Sequence, residues 1–158
     1  MDIVYLTRSR LVEIENELMD LKSSGRKQMA EKIAEARSHG DLSENAEYDA
    51  AKEAQSHLEL KIGKLETMLS RVKIISPDDM PNDEVYILSV VKVRDMKSKE
   101  EFTYTLVSPE EADFELDKIS VTSPIGNALL GKKKNEVVEI NVPAGIIKYK
   151  VIDISKLD

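Results

Sequence analysis

Ala36-Arg37-Ser38-His39-Gly40-Asp41-Leu42-Ser43-Glu44-Asn45-Ala46-Glu47-Tyr48-Asp49-Ala50-Ala51-Lys52 is the stretch that decides the fold. Apolar residues on its two sides mirror each other about a point between Asp41 and Leu42. Leu11 pairs with Val72, Ile14 with Leu69, Leu18 with Leu65, Leu21 with Ile62, Met29 with Ala54 and Ile33 with Ala50. Apolar residues spaced alternately three and four apart form one stripe on a helix, so two mirrored stripes predict an antiparallel coiled-coil hairpin that turns at this stretch. Gly40 can adopt the left-handed conformation that ends a helix. Asp41, with Glu44 three residues on, has the spacing of a capping box that opens the return helix. Near the turn the paired layers shrink to Ala36, Ala46, Ala50 and Ala54, which lets the helices approach closely.

Outward from the turn, the first helix is predicted to begin after Thr7, a good N-cap, and to run to about Ser38. The second runs from Leu42 or Ser43 to Ile74, and an arm of about thirty residues per helix reaches roughly 45 Å. Gly25 interrupts the first helix opposite Leu58, at a propensity cost of about 1 kcal/mol against alanine. Lys22, Arg26, Lys27 and Lys32, with Arg37 and Lys52 nearer the turn, could form a basic strip. A solvated helical face balanced by acids such as Glu31 and Glu35 is the favoured reading.

Ser76-Pro77-Asp78-Asp79-Met80-Pro81-Asn82-Asp83 ends the helical pattern with two prolines and three aspartates. The expected organisation is an arm over residues 1–75, a linker over 76–83 and a second domain over 84–158. In the second domain Val85–Arg94, Phe102–Val107, Val137–Val142 and Ile146–Ile154 read as strands. Ser123-Pro124-Ile125-Gly126-Asn127-Ala128-Leu129-Leu130-Gly131 reads as one short helix, with serine at the cap and proline at the first helical position. The fold class is therefore α+β: a helical hairpin, then an antiparallel sheet packed on one helix.

Bulk properties exclude several functions. A net charge of −7 over 158 residues argues against general coating of nucleic acid. No apolar run is long enough to span a bilayer, and Met1–Arg10 lacks the layout of a signal peptide. The absence of cysteine rules out disulfides and thiolate metal sites and permits a cytoplasmic location. His39 and His57 lack metal-ligand spacing and read as surface residues. At the turn, Asp41 and Glu44 could serve capping alone or could bind a divalent cation. Two carboxylates cannot supply the six oxygens that magnesium prefers, so such a site needs ligands from another molecule.

Gly40-Asp41-Leu42-Ser43-Glu44-Asn45-Ala46-Glu47-Tyr48, preceded by Ile33-Ala34-Glu35-Ala36-Arg37, and the later Ile119-Ser120-Val121-Thr122-Ser123-Pro124-Ile125 resemble the two signatures of the bacterial Gre transcript-cleavage factors, of the GreA type. The resemblance spans essentially the whole chain and includes the order of its parts. It implies a C-terminal domain with the fold of the FK506-binding prolyl isomerases, docked on RNA polymerase through Ser123, Pro124, Ile125 and Gly126. It further implies that the arm enters the polymerase's secondary channel. There Asp41 and Glu44 would help hold a magnesium ion of the polymerase active site and orient the water that cleaves backtracked RNA. Arg37 and Lys52 match basic positions that would contact the nascent RNA 3′ end or the channel wall. On this reading the protein is a monomer with no cofactor and no complete active site of its own.

Three alternatives are open to test. An anti-cleavage relative would share the architecture and block the channel; such relatives tend to carry additional acids in the tip loop, whereas here only Asp41 and Glu44 flank Leu42 and Ser43. A prolyl isomerase would want an aromatic pocket, and Tyr86, Phe102, Tyr104, Phe114 and Tyr149 are the domain's only aromatics. A purely structural coiled coil would use Asp41 and Glu44 for helix stability alone.

Overall fold

The computed structural model describes residues 2–41 and 45–157. The chain divides into two compact units, one of Arg10–Ser70 and one of Met1–Ser9 with Arg71–Asp158. The division departs from the expected boundaries at both ends of the arm.

In the helical unit, α1 (Arg8–Asp20) follows Thr7 as predicted and passes through a π turn (Leu21–Gly25) into α2 (Arg26–Arg37). Helix α3 (Ala46–Leu69) runs back. A π turn carries one residue more than the α-helical ladder needs, so it resets the phase of the apolar stripe. The sequence shows the same slip as an eight-residue step from Leu21 to Met29 where a heptad would give seven. Strict mirror symmetry therefore fails by one residue toward the tip. Ala51, not Ala50, is the alanine buried on the return helix, while Ile14, Ile33, Ala36 and Ile62 are buried as expected. Gly25 does face Leu58: a Cβ built there would stand 3.3 Å from Leu58 Cδ1.

Two members of the basic strip, Lys22 and Arg26, pair with acids of α3 within this unit. Arg26 donates two hydrogen bonds to Glu59, at 2.9 and 3.1 Å. Lys22 lies 3.8 Å from Glu66, and Lys61 lies 3.0 Å from Glu17. For Lys22 and Arg26 the solvated, charge-balanced face is what forms, with the balancing acids on the opposite helix rather than at Glu31 and Glu35.

The second helix ends at Leu69, five residues before the predicted Ile74, because Val72–Ile74 is a strand, β2, paired in parallel with β1 (Val4–Leu6). Val72 stands seven residues after Leu65, and that spacing imitates a coiled-coil position. The three-residue strands are too short to show alternation. Val4 and Leu6 are fully buried, and the Tyr5 N–H donates to Ser108 Oγ at 2.9 Å. Residues 76–83 are built into the globular unit rather than strung out as a linker. Pro77–Asp79 forms a 3-10 turn, with Asp79 accepting from the backbone N–H and the hydroxyl of Ser76, each at 3.0 Å. Met80 then joins Ile75, Leu88 and Val107 in a buried cluster.

Five further strands form one sheet in the order β5-β4-β3-β7-β6: β3 (Ser89–Asp95), β4 (Glu101–Val107), β5 (Lys118–Ser120), β6 (Val137–Val142) and β7 (Gly145–Lys156). Four were predicted. The fifth, β5, has three residues and pairs in parallel with β4, so the sheet is mixed where a purely antiparallel one was expected. Val91, Val93, Leu106, Val138, Ile140, Tyr149 and Val151 face the core with Leu129 of the predicted helix, α4 (Pro124–Leu129). Phe102, Tyr104 and Tyr149 come together against this core with ring centroids 6.1 to 6.4 Å apart. Burial, then the hydrogen bond with Tyr149, pushes the Tyr104 hydroxyl far above its ordinary range.

Candidate functional site: the hairpin tip and the capped helix

Helix α2 closes with the Ser38 N–H donating to Ala34 and Glu35, and the His39 N–H donating to the Ala36 carbonyl at 3.2 Å. Gly40 follows at φ +108°, the left-handed geometry expected of it. Asp41 is exposed. Leu42, Ser43 and Glu44 lie outside the described residues, and with them the expected partner of Asp41.

Asn45 is the cap of α3, and the expected capping box of Asp41 and Glu44 falls in part outside the described residues. Its Oδ1 accepts from the Tyr48 N–H at 3.1 Å, and its Nδ2 donates to the Ala36 carbonyl at 2.6 Å. One side chain thus satisfies a donor at the start of one helix and an acceptor at the end of the other. Two further contacts tie the ends together. The Arg37 guanidinium lies 5.9 Å from the centre of the Tyr48 ring, within cation–π range, and His39 Nε2 lies 3.2 Å from Glu47 Oε2. Lys52 donates to Gln55 at 2.9 Å and remains exposed. Glu47 and Asp49 place negative charge in the first turn of α3, where the helix dipole favours it.

Asn45 was legible as a cap, since asparagine ranks with aspartate and serine there. The competing spacing of Asp41 and Glu44 drew the helix start forward. Tyr48 as a partner of Arg37 had no signal in the sequence, because it depends on how the two helix ends converge.

Carboxylates suit a hard cation such as magnesium, but among the described residues no three histidine, aspartate or glutamate side chains gather into a site that could hold one. The tip fits an ion only as a contributor of one or two oxygens.

The other predicted group has a complete local account. Ser123 Oγ accepts from the Gly126 N–H at 3.0 Å and donates to the Ser120 carbonyl at 2.6 Å, and Pro124 fills the first helical position. Gly126 is buried, and a Cβ there would fall 2.0 Å from the Ser120 carbonyl oxygen. Ile125 packs against the core.

Comparison with known proteins covers nearly the whole chain. Residues 4–74 match the family model described as "Transcription elongation factor, N-terminal", and residues 80–156 match "Transcription elongation factor, GreA/GreB, C-term". Transcription elongation factor GreA of Chloroherpeton thalassium is 54% identical over 153 residues, covering 97% of each chain. That of Chlorobaculum parvum is 53% identical over 154 residues, again covering 97% of each. Among solved structures, the GreA factor homolog 1 (Gfh1) of Thermus thermophilus is 28% identical, covering 97% of this chain and 99% of that one with a TM-score of 0.45. No helix among the described residues is long and apolar enough to cross a membrane.

Proposed function

Because this chain belongs to the GreA/GreB family of transcription elongation factors, we propose that it binds RNA polymerase as a monomer in the cytoplasm and stimulates the polymerase's own cleavage of backtracked RNA. The observation that supports this most directly is the placement of Asp41, an exposed carboxylate directly after the left-handed Gly40 that follows α2. Asn45 supplies the cap of α3, four residues beyond Asp41. An exposed carboxylate at the turn of a hairpin is suited to complete a site in another molecule.

In this mechanism Asp41 and Glu44 would contribute oxygen ligands to a magnesium ion otherwise held by the polymerase. When bound, that ion supplies charge stabilisation at the reacting phosphate. The same carboxylates accept hydrogen bonds from the attacking water and so orient it toward phosphorus. As the water oxygen bonds to phosphorus the P–O3′ bond breaks, so the released fragment carries the phosphate at its 5′ end and the retained transcript, its O3′ protonated, ends in a new 3′ hydroxyl. Arg37, held against Tyr48, and Lys52 offer positive charge to the phosphates of the extruded RNA. The protein supplies no cofactor and hydrolyses nothing alone. Ser123, Pro124, Ile125 and Gly126 would shape a polymerase-facing edge of the globular unit through the turn they build.

The test is a backtracked elongation complex with labelled RNA and magnesium. Wild type is expected to release short 3′ fragments, and Asp41→Asn/Glu44→Gln is expected to bind polymerase yet cleave at least a hundredfold more slowly. Equal cleavage by the double variant would remove the carboxylates from the mechanism. Binding by wild type with suppressed cleavage would make the protein an inhibitor of the same architecture.

A further inference from the structure

Phe114 is 93% exposed and Leu116 62% exposed, both on a single 3-10 turn (Phe114–Leu116) between β4 and β5. A large aromatic ring held in water on a stable domain is unusual unless something covers it. The turn beneath it is firmly built. Asp113 and Lys118 exchange both backbone hydrogen bonds, at 2.9 and 3.0 Å, and the Leu116 N–H returns to the Asp113 carbonyl at 3.2 Å. Asp113 Oδ1 accepts from the Glu115 N–H at 3.0 Å, and Asp117 closes the loop in the left-handed region at φ +54°. None of these bonds uses the phenyl ring, which is therefore presented rather than packed.

Along the chain, the charge leading into and through the turn has one sign as far as Asp117. Glu110, Glu111, Asp113, Glu115 and Asp117 precede the first lysine, Lys118. Glu110 is paired with Arg71 at 3.0 Å and Glu111 is buried, which leaves Asp113, Glu115 and Asp117 exposed beside Phe114. Such a rim repels phosphate, so neither nucleic acid nor an anionic membrane suits it. It fits a protein surface with an apolar recess edged by arginine or lysine. Val137 and Ile146, also exposed on this unit, lie on either side of the oppositely charged pair Lys148 and Glu139 and have no such bias.

We propose that the Phe114–Leu116 turn is the anchor by which the globular unit docks on RNA polymerase, with the Phe114 ring seated in an apolar, basic-rimmed recess of the polymerase surface. This rests on the reading of the chain as a polymerase-bound factor. A rigid aromatic on a preorganised turn loses little freedom on binding, and buried aromatics of this kind carry much of an interface's affinity.

The experiment measures binding of the full chain to immobilised core RNA polymerase, with the concentration for half-maximal cleavage as a second readout. Phe114→Ala is expected to weaken binding at least tenfold and to raise the half-maximal concentration by a similar factor. Glu115→Lys is expected to weaken binding at low salt, with a smaller difference at high salt. Ile146→Ala should bind as wild type does. The proposal is overturned if wild type binds and Phe114→Ala stays within twofold of it. It is equally overturned if Phe114→Ala leaves polymerase binding intact but abolishes self-association in sedimentation, since the turn would then be a contact between copies. Failure of wild type itself to bind would instead overturn the function proposed above.

Discussion

The two signature stretches of this chain differ in how much of them the fold explains. In Ser120–Gly126 the fold accounts for each of the distinctive residues: Ser123 caps, Pro124 starts the helix, Ile125 packs and Gly126 leaves room for a carbonyl. In Gly40–Tyr48 it accounts for Gly40, Asn45 and the Arg37–Tyr48 contact at its edge, and leaves the Asp41 carboxylate exposed ahead of the Asn45 cap. A motif that folding explains cannot be assigned a function on its sequence alone. A motif that also sets an exposed carboxylate at the turn of a hairpin offers a group for chemistry in another molecule, and Asp41 is that group.

The sharpest way to break this contrast is Gly126→Ala. Helix propensity alone predicts a gain of about 1 kcal/mol from replacing a helical glycine by alanine. The 2.0 Å approach to the Ser120 carbonyl predicts the opposite sign, because that oxygen belongs to β5 and accepts from both the Ser123 N–H and its hydroxyl. We expect a net loss of about 3 kcal/mol in urea unfolding of the globular unit. A stabilised or unchanged protein would mean that this motif is not fixed by folding, and the contrast would collapse.

Next in size is Asn45→Ala, which removes the α3 cap and the tie to Ala36 together. A loss of about 1 kcal/mol is expected, confined to the tip and seen as faster amide exchange at Tyr48 and Asp49. Should Asp41→Asn produce the same local loss while Asn45→Ala produces none, the aspartate would be the cap after all. Capping would then account for Asp41 without a metal-assisting role.

Legibility in the sequence followed element length. The long helices were readable because each apolar stripe repeats many times, and the strands of six residues or more announced themselves by composition. Strands β1, β2 and β5, of three residues each, could not show a period. Val72 had in addition a spacing that suited the wrong element. The π turn was visible as the Leu21-to-Met29 step but needs a partner helix to be recognised as a change of register, and the exchange of Ala50 for Ala51 follows from it. At the site, Asp41, Arg37 and Lys52 were found by motif, whereas the pairing of Arg37 with Tyr48 and the exposure of Phe114 are properties of three-dimensional convergence that no window of sequence contains.

The smallest expected effect concerns the arm alone and separates its charge network from its tip. The hydrogen bonds from Arg26 hold the Glu59 carboxyl below its ordinary value of 4.5. A carboxyl whose pKa is lower in the folded than in the unfolded state binds fewer protons when folded. Its contribution to stability is therefore complete above the unfolded value and disappears as pH falls through the folded one. Both partners are exposed, so the contribution is small and screened by salt. Glu59→Gln should flatten the acid side of the arm's stability profile below about pH 4.5, with no change near neutrality in cleavage of backtracked RNA. Amide exchange along α3, followed from pH 6 down to pH 3, would show it. A slope that persists in Glu59→Gln would assign the acid sensitivity to other carboxylates. A loss of cleavage at neutral pH would mean that the cross-helix ion pairs position the tip, and the separation drawn here between a folded arm and a functional end would no longer hold.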